Sequence, residues 1–346
     1  MLLFAMLYVR PALEATSHGL DYACMASEPF QSHNRNVYRF LTPLLAHLLG
    51  LRGSGIIVLN LLMAWTLLVM SYRVGRAEGM SAGLSLATAA CVACSMPTFA
   101  TVYWGGYPDS TTYVVVFAMI ASRRCGPIFW AAFCVGLTNR EAIAFLLPFF
   151  FVLRWKTATD RQAGISRLTV VRRDGLLCTT ALGVYGLIRG AIPVTDHAVV
   201  HNVAFYLEPL LRSPWSGLKQ VLPAYHLGFF SVFKFLWLVP VVATGVAIRR
   251  RAGIHVLLIV LPVACAVLQS VFARDTSRLL CLAFPSLWLA VHDLRSRVGD
   301  RQLARALWVL VGASLLMPPW YVTSDTVVTM IGGWTGAKWL VFGGAE

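Results

Sequence analysis

Long apolar runs separated by short basic gaps set the pattern of this chain. About 20 apolar helical residues cross a hydrocarbon core about 30 Å thick. The clearest runs of that kind lie at 55–72, 80–104, 175–192, 227–248 and 253–272. Shorter runs lie at 111–122, 279–291 and 306–321, and the run at 1–9 reads as a first helix with a shortened start. The stretch 127–153 is apolar except for Thr138-Asn139-Arg140-Glu141 at its middle. Charges at that depth are costly against lipid, so the pattern predicts two short helices that meet at the break and turn back, with helical hydrogen bonding interrupted within 138–141. An amphipathic piece at 40–51 is expected along the membrane interface. The expected fold class is therefore all-α, a polytopic transmembrane bundle of about ten helices. It forms a single domain over 1–346, with long outside loops at 10–38 and 193–226.

Composition excludes a water-soluble globule. Hydrophobic residues make up 58% of the 346 and charged residues only 13%, about half the charge of an ordinary soluble domain. The net charge of +14 would suit nucleic acid, but its distribution does not. Basic residues cluster in the gaps (Arg73 and Arg76, Arg123 and Arg124, 154–173, 249–251, 295–305) rather than forming a stripe interleaved with aromatics, and no nucleic-acid partner is expected. The clusters mark cytoplasmic loops. With the N-terminus inside and 127–153 going out and back, the inside loops hold the majority of the 29 Lys and Arg but a minority of the 15 acids. A single crossing at 127–153 would put 154–173 outside while Arg123 and Arg124 stayed inside, against that rule. The expected home is a bacterial inner (plasma) membrane.

Most of the eight cysteines fall inside apolar runs, where soft core packing is the expected role. Cys91 and Cys94 have a metal-ligand spacing without a second pair, so no metal site and no disulfide framework is expected. Trp104, Trp215, Trp320, Tyr321, Trp334 and Trp339 suit an aromatic belt at the outer interface.

On this topology the unusual polar groups collect on one side: Asp21 and Glu28 in the first outside loop, Arg39 after it, Asp109 in an outside turn, Arg140 and Glu141 at the break, and Arg274, Asp275 and Arg278 in a late outer gap. Arginine presents a planar fork of donors that fits phosphate. A carboxylate can take the proton of an attacking hydroxyl, and positive charge stabilises a leaving phosphate. Such a set suits an anionic-lipid site, although each member also has a structural reading: an ion pair between helices for Arg140 and Glu141 or for Arg274 and Asp275, a turn former for Asp109, a solvated acid for Asp21, and a snorkelling side chain for Arg39.

Four segments carry a resemblance: Gly19-Leu20-Asp21-Tyr22, then Tyr38-Arg39-Phe40-Leu41-Thr42-Pro43-Leu44-Leu45, then Thr138-Asn139-Arg140-Glu141, then Asp275-Thr276-Ser277-Arg278 followed by Pro285. In their order the chain resembles the GT-C superfamily of polytopic membrane glycosyltransferases. The resemblance implies transfer of a sugar from a polyprenyl-phosphate donor to an acceptor at the extracytoplasmic face. Asp21 would be the catalytic base, and Arg39, Asp109, Arg140, Glu141, Arg274, Asp275 and Arg278 would bind substrate. It leaves the sugar, acceptor, cofactor and oligomeric state open. Two other classes remain: a transporter or flippase for a lipid-linked or anionic solute, since broken helices with charges at depth also occur there, and a non-catalytic membrane subunit.

Overall fold

In the computed structural model the described residues are all except 10, 16–17, 31–33, 35, 162–166, 194–213, 273–275, 324–325, 331–337 and 341–346. The helices in chain order are α1 (Leu2–Tyr8), α2 (His18–Ser27), α3 (Leu41–Leu48), α4 (Ile56–Ala77), α5 (Ala82–Ala93), α6 (Met96–Tyr103), α7 (Asp109–Ala121), α8 (Gly126–Asn139), α9 (Leu147–Arg161), α10 (Arg167–Ala191), α11 (Pro214–Phe233), α12 (Leu238–Arg249), α13 (Gly253–Phe272), α14 (Thr276–Leu280), α15 (Phe284–Val298) and α16 (Asp300–Leu315).

Among the described residues, four helical stretches are long and apolar enough to cross a membrane: Gly53–Ala77, Glu141–Asp160, Ala224–Arg249 and Gly253–Ser270. A fifth is possible if α5 and α6 form one span bent by 48°. Large apolar side chains face outward along them, among them Leu62, Trp65, Val241, Val242, Leu257 and Leu268. Water would penalise such surface and lipid does not, which is the signature of an integral membrane protein. The bend replaces the single run expected at 80–104. Pro97 lies in the first turn of α6, where its missing N–H costs nothing, whereas a continuous helix would lose a hydrogen bond there. α10 covers the run at 175–192 but is not one of the four spans; Arg172, Arg173 and Asp174 near its start and Arg189 near its end shorten its apolar stretch.

The chain divides into two compact units, Met1–Ala12 with Ser71–Trp104 and His201–Glu346, and Leu13–Met70 with Gly105–Val200. No composition shift marks this division, because each unit is assembled from separate stretches of chain.

In the first unit α16 packs on α5, α13 packs on α12 and α15, and α11 packs on α14. Lys234 is almost wholly buried at a break in the span Ala224–Arg249, and donates to the carbonyls of Ser314 (3.0 Å) and Met317 (2.6 Å). Tyr8 donates to Leu315 (2.7 Å) and Met317 (2.8 Å). These bonds satisfy carbonyls that the end of α16 leaves over. Near the start of α16, Asp300 accepts from the Ser81 amide and from Arg295 Nε. Burial opposes its charge, but these donors outweigh that and hold its carboxyl below the usual range.

The helical bundle expected from the sequence carries one small sheet besides. The run at 306–321 ends as helix at Leu315, and Trp320–Thr323 (β1), Thr326–Thr329 (β2) and Lys338–Leu340 (β3) form an antiparallel sheet in the order β1-β2-β3. Pro318 and Pro319 stop the helix, and the β-branched Val322, Val327 and Val328 suit strands. Val322 and Val327 pack with Ala224, and the Val322 amide donates to Ser277 Oγ (2.8 Å).

In the second unit α8 packs on α7 and α10. The break at 138–141 is present: α8 ends at Asn139, Arg140 is extended (φ −161°, ψ 118°), and a 3-10 turn at Glu141–Leu146 leads into α9. The chain turns back there, since Phe129 meets Phe150 at 5.6 Å between ring centroids and Trp130 meets Phe151 at 5.1 Å. The far end of this hairpin is pinned by Arg154, which donates from Nη2 to Asp174 Oδ1 (3.1 Å) and also bonds the Arg123 carbonyl, while Trp130 donates to the same carboxylate (3.1 Å). Arg154, expected in a basic cytoplasmic loop, is thus buried and paired.

Candidate functional site

Glycines set the site's framework. Gly19 opens α2 against the turn Gly105-Gly106: a Cβ on Gly19 would stand 2.0 Å from the Gly105 carbonyl oxygen, and one on Gly106 would stand 2.7 Å from that of Gly19. Gly106 also has φ +88°, a conformation that glycine takes without a steric cost. This backbone contact sets the helix carrying Asp21 beside the turn that leads into Asp109. Gly19→Ala should therefore lower the thermal stability of the purified protein, by roughly 1–3 kcal/mol for an overpacked contact; an unchanged melting temperature would refute the close approach.

Asp21 lies on α2, not in the loop expected from sequence, and its side chain is about a quarter exposed, at 27%. Asn36 donates from Nδ2 to Asp21 Oδ2 (3.0 Å), and His18 Nδ1 lies 3.6 Å from the same oxygen. Asn34 donates to the Asp21 carbonyl (3.0 Å) and accepts from the Asn36 amide (2.8 Å). Asn36 Oδ1 accepts from Arg39 (3.4 Å). Arg39 donates in turn from Nε to Glu141 Oε2 (3.0 Å). The other Glu141 oxygen accepts from Tyr185 (3.3 Å) and Arg189 (3.4 Å), and the Arg189 guanidinium lies 4.1 Å from the Tyr38 ring centre. A continuous polar chain thus runs from Asp21 through Asn36 to two arginines that share one carboxylate. Arg39, Glu141 and Arg189 remain partly exposed.

Beneath this chain the groups are dry. Arg140 pairs with Asp109, both side chains under a tenth exposed. Asp109 is the first residue of α7, where a carboxylate suits the positive helix end. Asn139 is fully buried with all its polar capacity used: Oδ1 accepts from the Thr42 amide (3.3 Å) and hydroxyl (2.5 Å), and Nδ2 donates to the Pro108 carbonyl (2.9 Å) and Thr112 Oγ1 (2.8 Å). Asn139 therefore ties the start of α3 and the turn before α7 to the end of α8, which holds the break open.

No protein family, curated protein or solved structure matches this chain significantly.

Of the residues singled out in the sequence, Asp21, Arg39, Asp109, Arg140 and Glu141 thus belong to one unit and to one polar region. Arg278 lies on α14 in the other unit, and Arg274 and Asp275 lie outside the described residues. Sequence reasoning missed Asn36, Tyr185 and Arg189. Arg189 had a legible signal, as a lone cation within the apolar run 175–192; Asn36 and Tyr185 had none. Among the described residues no group of three or more His, Cys, Asp or Glu is arranged to hold a metal ion.

Proposed function

We propose that this protein is a multi-pass glycosyltransferase of the inner (plasma) membrane with the GT-C architecture, moving a sugar from a polyprenyl-phosphate donor to a hydroxyl acceptor at the extracytoplasmic face. The supporting observation is the hydrogen-bonded path that joins the partly exposed Asp21 carboxylate to the paired guanidiniums of Arg39 and Arg189. A transfer of this kind needs a base and a cationic phosphate holder in one place. The acceptor oxygen attacks the anomeric carbon, its proton passes to Asp21, and the bond from that carbon to the phosphate oxygen breaks. The electron pair leaves on polyprenyl phosphate, whose charge Arg39 and Arg189 stabilise. Arg140 acts at one remove, since its guanidinium is engaged by Asp109; the pair supports the turn that presents Glu141.

The test is turnover of a panel of polyprenyl-phosphate sugars by the purified protein in lipid nanodiscs, read as release of polyprenyl phosphate with a glycosylated acceptor. Absence of turnover together with flux of a lipid-linked or anionic solute in liposomes would favour transport; absence of both would favour a non-catalytic subunit.

The reading also fixes sidedness. In intact cells an impermeant maleimide should modify Cys24 and spare Cys125, both exposed on the protein surface, in variants that keep one of the two as the sole thiol. The reverse labelling would invert the topology and end the extracytoplasmic assignment.

A further inference from the structure

The turn between α12 and α13 carries a second feature, unrelated to the polar chain. Two candidate spans, Ala224–Arg249 and Gly253–Ser270, end and begin there, so the turn lies where acyl chains give way to headgroups. Arg249, Arg250 and Arg251 follow one another, all three exposed, and among the described residues no ion pair engages them.

The backbone that presents them is unusual. The Arg251 amide donates to the Ile248 carbonyl (2.9 Å) and the Ala252 amide to the Ala247 carbonyl (3.0 Å), the paired bonds of a Schellman helix end. The residue at the left-handed position of that motif is ordinarily glycine; here it is Arg251, with φ +55°. An arginine held there at a steric cost points to a use for its side chain. That side chain lines an open depression of about 410 Å³ whose other walls are Ala247, Ile248, Ala252, Gly253, Val256 and Leu257. The other walls are apolar, and Arg249 and Arg250 precede Arg251 in the same exposed turn.

We propose that this turn is a binding site for an anionic phospholipid, with one acyl chain along Ile248, Val256 and Leu257 and the headgroup phosphate held by Arg249, Arg250 and Arg251. The location selects the occupant, since a depression at the end of two spans is filled by lipid. The charge selects the class, since three guanidiniums with no carboxylate among them complement a phosphodiester and gain from its planar hydrogen bonding. A zwitterionic lipid offers the same phosphate but brings a cation against the arginines. Each basic residue near an anionic surface is worth a factor on the order of five in affinity.

The test uses the full chain in detergent with defined lipid added, and reads thermal unfolding and the lipid retained in native mass spectrometry. Phosphatidylglycerol should raise the melting temperature and be retained more than phosphatidylcholine of the same chains, while glycerol phosphate without chains should do neither. R249Q/R250Q/R251Q should lose the preference by at least about tenfold in retained lipid. R172Q/R173Q, which removes two arginines of α10, should keep it. R251G relieves the backbone, so it should unfold no earlier than the wild type without lipid, yet show a weaker lipid response. An undiminished preference in the triple variant, or an equal response to both lipids in the wild type, would overturn the proposal. The readout needs no transfer activity, so it stands or falls apart from the proposed function.

Discussion

Asp21→Asn should reduce turnover of a lipid-linked sugar by about 10²–10⁴, or roughly 3 to 5 kcal/mol of barrier. The amide keeps the shape of the side chain and can still bond the Asn36 amide group after a flip, but it cannot take a proton. Folding should survive, because the carboxylate is partly exposed at the surface of its unit. Glu28→Gln is the matched control, since Glu28 is exposed just beyond the end of the same helix, and its loss should cost much less. Both variants are compared at equal protein level in nanodiscs with the donor that the wild type turns over. Wild-type turnover by Asp21→Asn, or an equal loss in both, removes Asp21 from the chemistry and moves the weight to solute transport.

Removing one partner of the Asp109–Arg140 pair should give a large loss of stability in the second unit. Both side chains are almost wholly excluded from water, so Asp109→Leu removes the carboxylate that faces a buried guanidinium. Breaking a pair of this kind costs about 3–5 kcal/mol. Arg140→Met with Asp109 intact should cost a similar amount. The double variant Asp109→Leu/Arg140→Met should recover much of the loss, because well-packed apolar replacements of a buried pair are often neutral or better. Thermal unfolding of the four proteins completes the cycle. Additive losses, with no recovery in the double variant, would show that the pair does not act as a unit.

The membrane character of this chain followed from sequence alone, because it depends only on local quantities. Apolar runs long enough to span bilayer predict the helices Gly53–Ala77, Ala224–Arg249 and Gly253–Ser270 without knowledge of any neighbour. The break at Arg140 was legible for the same reason: Thr138-Asn139-Arg140-Glu141 cannot lie in lipid whatever packs around it, and the helix does end at Asn139. The C-terminal sheet escaped, since a run of apolar residues reads alike as a buried helix or as a strand, and Pro318-Pro319 gave the stop that should have cut the run at 306–321. Partnership was beyond reach. Arg154 reads as one of a basic loop cluster and Arg140 as a charge at a helix break, and only the folded chain sets one on Asp174 and the other on Asp109. The link from Asp21 through Asn36 to Arg39, Glu141 and Arg189 joins residues up to 168 positions apart. No periodicity encodes such a path; it arises where the backbone contact at Gly19 and the saturated amide of Asn139 bring α2, α3, α7 and α8 into register and α10 packs on α8.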